Sequence, residues 1–253
     1  MTTIDPPLRT CFLSHRGESD DAPENTAEAF ALAMERDSDG MELDIRMTKD
    51  RQLVCVHDAS LLRVAGVDLE VAAHCYSELR AAHPVPLLAE ALELLRRGKF
   101  MQIELKGTDF DWAKLRRLID RHLALGKQIG LSSFEIGTLE TANAHFPDLT
   151  RVLLIDLEKS FGRFPAADKV ADFCRQHHFS GVSCKADFRV DRTFVETLHA
   201  GALRVVAWGV DRDEKGLAMA AAGIDALTSN HAAALRAQAR IRFAAPPQAP
   251  QSL

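Results

Sequence analysis

No apolar run in this sequence approaches the roughly 18 residues that a membrane-spanning helix needs. The opening Met1-Thr2-Thr3-Ile4-Asp5-Pro6-Pro7 lacks the basic and apolar regions of a secretory leader. Basic blocks are missing as well. With a net charge of −5, nothing offers a nucleic-acid backbone a track to follow, although one or two well-placed cations suffice for a small phosphate ligand. The cysteines, Cys11, Cys55, Cys75, Cys174 and Cys184, form an odd set without C-x-x-C spacing. Cys11, Cys55 and Cys184 fall inside strand-like apolar runs, where a reduced thiol serves as a small hydrophobe. A reduced, cytoplasmic protein without a transmembrane segment is expected. There is no G-x-G-x-x-G after the first strand-like run, and no internal linker rich in Pro, Gly or Ser divides the chain.

What the chain does have is a regular alternation. Short apolar runs at 10–14, 41–46, 100–105, 129–132, 151–155, 181–184, 204–208 and 226–228 read as strands. Amphipathic segments at 26–36, 87–97, 112–122, 134–144, 166–177, 191–200, 214–222 and 232–239 read as the helices between them. Residues 53–56 look like an extra strand-like piece continuing the region of the second strand. Strand-then-helix units in this order and number predict an α/β fold, a closed (β/α)8 TIM barrel. A doubly wound sheet, the alternative, normally uses fewer strands. A length of 253 residues with 47% hydrophobic content suits one such barrel in a single domain at 1–243. The proline-rich stretch at 244–253 is expected to be a flexible tail.

In such barrels reacting groups gather where strands end. His15 and Arg16 close the first strand. Glu42 and Asp44 are two apart on the second, so alternation sends both side chains to one side. Glu104 and Lys106 repeat that spacing on the third, His57 follows Val54-Cys55-Val56, and Trp208 ends the seventh. Two carboxylates about 4 Å apart repel by roughly 4 kcal/mol at an effective dielectric of 20, so three together call for cations or protons. All-oxygen donors favour a hard divalent ion, Mg²⁺ or Ca²⁺. The alternative is a structural ion network with Arg16, Arg46 and Lys106.

Imidazole titrates near neutrality, so His15 and His57 on opposite sides of a phosphorus atom can exchange acid and base roles. A hydrogen-bonded strand-end histidine is the plainer alternative for either one. Arg16 and Lys106 suit the phosphate oxygens, with Lys185 a weaker candidate. Trp208 offers an apolar wall for a carbon skeleton, or else packs as a core aromatic. Asn25 or Thr26 suits the helix N-cap, capping being the main reading for Asn25, and Glu24 suits orienting a ligand. The other histidines, His74, His83, His122, His145, His177, His178, His199 and His231, read as solvated. The combination predicts a metal-assisted phosphodiesterase.

Taken in order, several short stretches carry a resemblance: His15-Arg16-Gly17, Pro23-Glu24-Asn25-Thr26, Gly40-Met41-Glu42-Leu43-Asp44, Thr48-Lys49-Asp50 and Val56-His57-Asp58, followed by Val85-Pro86-Leu87, Ile103-Glu104-Leu105-Lys106, Ser133-Phe134, Ala207-Trp208 and Gly223-Ile224-Asp225-Ala226-Leu227-Thr228. With this order and spacing, over about residues 13–235, the chain resembles the glycerophosphodiester phosphodiesterase family. The resemblance implies a TIM barrel, a divalent cation, and hydrolysis of glycerophosphodiesters to glycerol 3-phosphate and an alcohol, a step of lipid and glycerol metabolism. It implies catalytic roles for His15 and His57, metal ligation by Glu42, Asp44 and Glu104, phosphate contacts from Arg16 and Lys106, and an aromatic wall at Trp208.

The chain departs from the family pattern at four places. Arg51 stands where a glycine is usual, and Gly209-Val210-Asp211 replaces Thr-Val-Asn. Thr228-Ser229-Asn230-His231 replaces a Thr-Asp-x-Pro ending, and residues 61–83 match the usual lid poorly. These departures touch substrate choice rather than the reacting groups. Lysophospholipids or sugar phosphodiesters are therefore alternative substrates, and a non-catalytic barrel that binds a phosphorylated ligand is the alternative of another class.

Overall fold

The computed structural model describes residues 10–210 and 212–243; the tail expected at 244–253 lies outside them, as does Asp211. The strands are β1 (Cys11–His15), β2 (Gly40–Met47), β3 (Leu53–Cys55), β4 (Phe100–Leu105), β5 (Gln128–Ser133), β6 (Thr150–Ile155), β7 (Gly181–Lys185), β8 (Arg204–Trp208) and β9 (Ala226–Ser229). All except β3 run parallel, and β1 pairs with both β9 and β2, which closes the barrel. The helices are α1 (Ala27–Glu35), α2 (Leu62–Ala65), α3 (Tyr76–Ala82), α4 (Leu88–Leu94), α5 (Trp112–Leu123), α6 (Ile136–His145), α7 (Leu157–Phe161), α8 (Ala167–Gln176), α9 (Arg192–Ala200), α10 (Asp213–Ala222) and α11 (Ala232–Arg242). Each barrel strand is followed by at least one of them. None is long and apolar enough to cross a membrane among the described residues.

Period-2 alternation assigns the faces. On β2, Met41, Leu43 and Ile45 join the apolar layer between barrel and helices, where they meet Phe30, Leu92 and Leu115. Glu42 and Asp44, in between, therefore face the barrel interior. On the other side Leu153, Val182, Val205 and Leu227 pack outward with Val170, Val195 and Leu235. The helices bury matching stripes: α5 hides Leu115, Ile119 and His122, spaced four and three apart. His122 is therefore buried rather than solvated, its Nδ1 meeting Lys127 Nζ at 3.0 Å. Leu13, Val152, Val206 and Ala226 fill the barrel interior away from the mouth. At the start of β2 only glycine fits, because a Cβ on Gly40 would lie 1.9 Å from the Phe100 carbonyl oxygen.

The piece at 53–56 does not continue β2. It turns back as β3, antiparallel to the outer end of β2, with Ile45 opposite Cys55 and Met47 opposite Leu53. The turn is local chemistry: Thr48 Oγ1 donates to Asp50 Oδ1 at 2.6 Å, the Thr48 N–H donates to the Gln52 carbonyl at 2.9 Å, and Arg51 adopts φ 61. A left-handed arginine costs about 1 kcal/mol, which explains why glycine suits this position; here Arg51 is also held by Asp109 Oδ2 at 2.7 Å. Beyond β3, α2, a 3-10 turn (Val71–Ala73) and α3 cover a separate small core of Val54, Val56, Leu61, Val71, Leu79 and Val85.

Charged clasps close the ring. Arg236 on α11 bonds Asp39 and Asp37 at 2.8 and 2.6 Å, and Asp39 also accepts from the Phe12 N–H at 3.0 Å. Near the opposite end, His231 joins Asp20 of the β1–α1 loop at 3.0 Å and Asp213 of α10 at 2.7 Å, so it is not simply solvated. The hydrogen bond to Asp213 is the main reason the His231 imidazole is raised above its ordinary value of 6.5, against partial burial. A raised histidine adds stability that is fully present below the unfolded value and lost as pH climbs through the folded one. Thermal unfolding of the wild type and His231→Gln should therefore differ most below about pH 6.5 and converge under alkaline conditions. A gap independent of pH would sink this assignment.

Candidate active site

The parallel ladder decides which side chains meet. Between β1 and β2, His15 lies opposite Glu42; between β2 and β4, Asp44 lies opposite Glu104. All four positions point inward at the strands' carboxyl ends. Glu42, Asp44 and Glu104 are buried, and an oxygen from each lies within 4.8 Å of the others.

The loop after β1 is shaped to serve this trio. Arg16 and Asn25 both adopt left-handed backbone, φ 58 and φ 54, and the Asn25 N–H donates to the Arg16 carbonyl at 2.9 Å. Strain of this kind persists only where surrounding contacts hold it. Here it aims the Arg16 N–H at Glu42 Oε2, 3.2 Å away, and brings the guanidinium into an ion pair with Asp44, Nε lying 3.2 Å from Oδ2 without a hydrogen bond. Asn25 is not the helix cap. Thr26 caps α1, its Oγ1 accepting from Ala29, while Asn25 Nδ2 donates to Asp44 Oδ2 at 2.8 Å and its Oδ1 accepts from the Asp44 N–H. Asparagine tolerates this backbone and presents a donor and an acceptor together, so it orients Asp44 twice over.

Lys106 Nζ lies 3.2 Å from Asp44 Oδ1 and 2.5 Å from Glu104 Oε1. Burial works against the Asp44 carboxylate, but Lys106 and Arg16 hold it below its ordinary range. For Glu42 the same two cations are outweighed. It accepts from a backbone N–H rather than a side-chain cation, and burial, Asp44 and Glu104 push it far up. Burial and Asp44 likewise raise Glu104 to about 7. Arg46, one cation of the alternative ion network, turns away and donates to the His57 carbonyl at 2.9 Å. Arg16 is shared with Glu24 at 3.0 Å. Fully ionised, the trio would carry more negative charge than Arg16 and Lys106 offset, so it takes up protons unless a further cation arrives. With donors that are all oxygen, it fits a hard divalent cation.

The two histidines have different partners. His15 Nδ1 donates to the amide oxygen of Asn230 at 2.7 Å, which leaves Nε2 as the lone-pair nitrogen. Burial, with Arg16 beside it, lowers its affinity for a second proton. His57 Nδ1 pairs with the Asp58 carboxylate at 2.6 Å. Burial lowers His57 too, while Asp44 and Asp58 pull it back up. The β2–β3 hairpin brings His57 to the mouth, the Val56 N–H donating to the Asp44 carbonyl at 3.1 Å.

Trp208 closes the opposite side, edge-on to Phe134 at 5.3 Å, and Lys106 Nζ lies 5.6 Å from the Phe134 ring. Lys185 is not drawn in; its Nζ faces Asp156 at 3.4 Å on the rim. Sequence reasoning missed the roles of three residues here. Asn230 follows the last strand, and the rule that site residues lie at strand ends would have found it. Arg63, which bonds both Asp58 and Glu24, and Asn25 each act through a fold-dependent contact that residue type and spacing do not reveal.

The residues from 15 to 234 match the model of the glycerophosphoryl diester phosphodiesterase family. The chain belongs to that family. It is 32% identical over 162 residues to a glycerophosphodiester phosphodiesterase of Bacillus altitudinis, a stretch covering 57% of this chain and 66% of that relative. Among solved structures it resembles the glycerophosphodiester phosphodiesterase of Thermotoga maritima, with TM-score 0.71, 24% identity, and coverage of 90% of this chain and 98% of that one. It also resembles an Oleispira antarctica phosphodiesterase in complex with the product sn-glycerol-3-phosphate, with TM-score 0.74, 22% identity, and coverage of 89% and 94%. At these identities the two structures support the barrel fold.

A cation that binds only the folded trio must raise the unfolding temperature by mass action. Millimolar Mg²⁺ or Ca²⁺ should therefore shift the melting curve upward relative to chelator. Glu42→Gln, which relieves like-charge crowding, should melt no lower than wild type in chelator yet lose most of the cation response. Identical wild-type curves in chelator and in excess of both cations would rule out the metal site.

Proposed function

We propose that this protein hydrolyses glycerophosphodiesters to glycerol 3-phosphate and an alcohol, with His15 and His57 as base and acid. The observation that carries the reading is the meeting of two imidazoles, hydrogen-bonded to unlike partners, with a buried acidic trio at one barrel mouth. Membership of the family supports the reaction class, and the product bound to the Oleispira antarctica relative supports the glycerol phosphate half of the substrate.

Glu42, Asp44 and Glu104 would hold a divalent cation, Mg²⁺ or Ca²⁺, which when bound supplies positive charge for a phosphate oxygen and the neighbouring glycerol hydroxyl. His15, with Nδ1 committed to Asn230, takes the hydroxyl proton on Nε2 as that oxygen attacks phosphorus. His57 gives its Nε2 proton to the departing alcohol oxygen, and Asp58 steadies the ring at Nδ1. The cyclic phosphate left behind is opened by water with the roles reversed: His57 accepts a water proton and His15 returns one to the glycerol oxygen. Arg16 and Lys106 stabilise charge on the non-bridging oxygens. The face of Trp208 packs the glycerol carbons.

Phe134, 45% exposed beside Trp208, extends the apolar wall outward, so a lysophospholipid belongs in the substrate panel. All five cysteines are free, which suits a reducing compartment such as the cytoplasm.

Release of glycerol 3-phosphate from glycerophosphocholine and glycerophosphoethanolamine, with each cation and with chelator, is the direct test. His15→Ala and His57→Ala should each lower kcat by about 10²–10⁴-fold. A substrate lacking the glycerol hydroxyl next to the phosphate should react poorly. Near-normal turnover by both variants would refute the acid–base assignment, and tight product binding without any turnover would favour a non-catalytic barrel.

A further inference from the structure

Arg63 lies on α2, in the segment that departs most from the family pattern, and its guanidinium makes an unusual set of contacts. Its Nε donates to Asp58 Oδ2 at 2.5 Å, while Nη1 and Nη2 donate to the two oxygens of Glu24 at 2.9 and 2.6 Å. Each of those carboxylates also serves a site residue. Asp58 Oδ1 holds His57 Nδ1 at 2.6 Å, and Glu24 Oε1 holds Arg16 Nη1 at 3.0 Å. A single fork therefore ties the His57 ring to the Arg16 guanidinium, and through Arg16 to Asp44. The backbone that carries the fork is anchored: Leu61 is fully buried in the small core beneath α2, and its N–H donates to the Leu69 carbonyl at 3.1 Å.

We propose that Arg63 is a positioning residue for the proton donor: by holding Asp58 and Glu24 together it fixes His57 relative to the phosphate-binding Arg16. This rests on the reading of His57 as the acid. Stability alone does not account for the arrangement. The Arg63 side chain is 50% exposed, with Asp58 at 30% and Glu24 at 23%, and ion pairs this exposed add little to folding. Nor does charge alone account for it. Bidentate pairing to one carboxylate together with a third bond to another needs the planar arginine fork, which lysine lacks.

The leaving group separates positioning from a merely structural role. Glycerophosphocholine needs a proton on its departing alcohol, whereas the p-nitrophenyl diester of glycerol 3-phosphate expels a stable phenolate without one. Arg63→Met and Arg63→Lys should both lower kcat on glycerophosphocholine roughly 10- to 100-fold, with KM nearly unchanged, and leave the single-turnover release of p-nitrophenolate, which precedes the second use of His57, close to wild type. Melting curves of both variants should stay near that of wild type, and free guanidinium should partly restore Arg63→Met on glycerophosphocholine. An equal loss in single-turnover p-nitrophenolate release, full activity of Arg63→Lys on glycerophosphocholine, or loss of cooperative unfolding in both variants would overturn the proposal. Wild-type protein that turns over neither diester would instead overturn the hydrolase reading on which it stands.

Discussion

Three carboxylates buried beside one another at the end of a parallel ladder are the constraint from which the rest of the site follows. The register that sets His15 opposite Glu42 and Asp44 opposite Glu104 gives them no room to separate. Removing an ion from water costs several kcal/mol even after relaxation, and proximity adds repulsion. The surrounding structure answers with the left-handed Arg16, the doubly bonded Asn25 and the Lys106 ammonium. These offset the Asp44 charge well, the Glu104 charge in part, and the Glu42 charge hardly at all. What remains is a defined oxygen-lined place whose carboxyls hold protons that a hard cation can displace.

A barrel with eight parallel strands alone would not complete this site. His57 arrives only because β2 outruns its neighbours and β3 folds back along it, and the residues after β3 then need their own small core. That excursion turns a loop into a rigid platform, from which Arg63 reaches across to Glu24. The mouth is consequently divided. The charged half is built by β1, β2, β3 and β4, and the aromatic half by Phe134 and Trp208 after β5 and on β8. A diester lying across it would meet cations at phosphorus and ring faces along one substituent, a division suited to a molecule that is itself half ionic and half carbon.

The barrel strands and most of the helices were legible because alternation and amphipathic spacing are local and strongly periodic. The acidic trio was legible for the same reason: a carboxylate at each end of a two-residue step on a buried strand has one direction to point. The hairpin was misread as a continuation because a short apolar run carries no sign of its direction; the Thr48–Arg51 turn held that information. His122 and His231 were read as solvated because nothing local reveals that Lys127 approaches one, or that Asp20 and Asp213 flank the other. Asn25 looked like a cap because asparagine before a helix usually is one. Its part in holding Asp44 depends on a residue 19 positions away.

Periodicity, residue type and spacing along the chain thus determined the barrel, its inward-facing acids and the candidate histidines, since each depends on interactions between near neighbours. Tertiary structure decided that the His15 imidazole meets Asn230 and that Arg63 reaches across to Glu24. Those outcomes depend on distances between segments far apart in sequence, which only closure of the barrel sets.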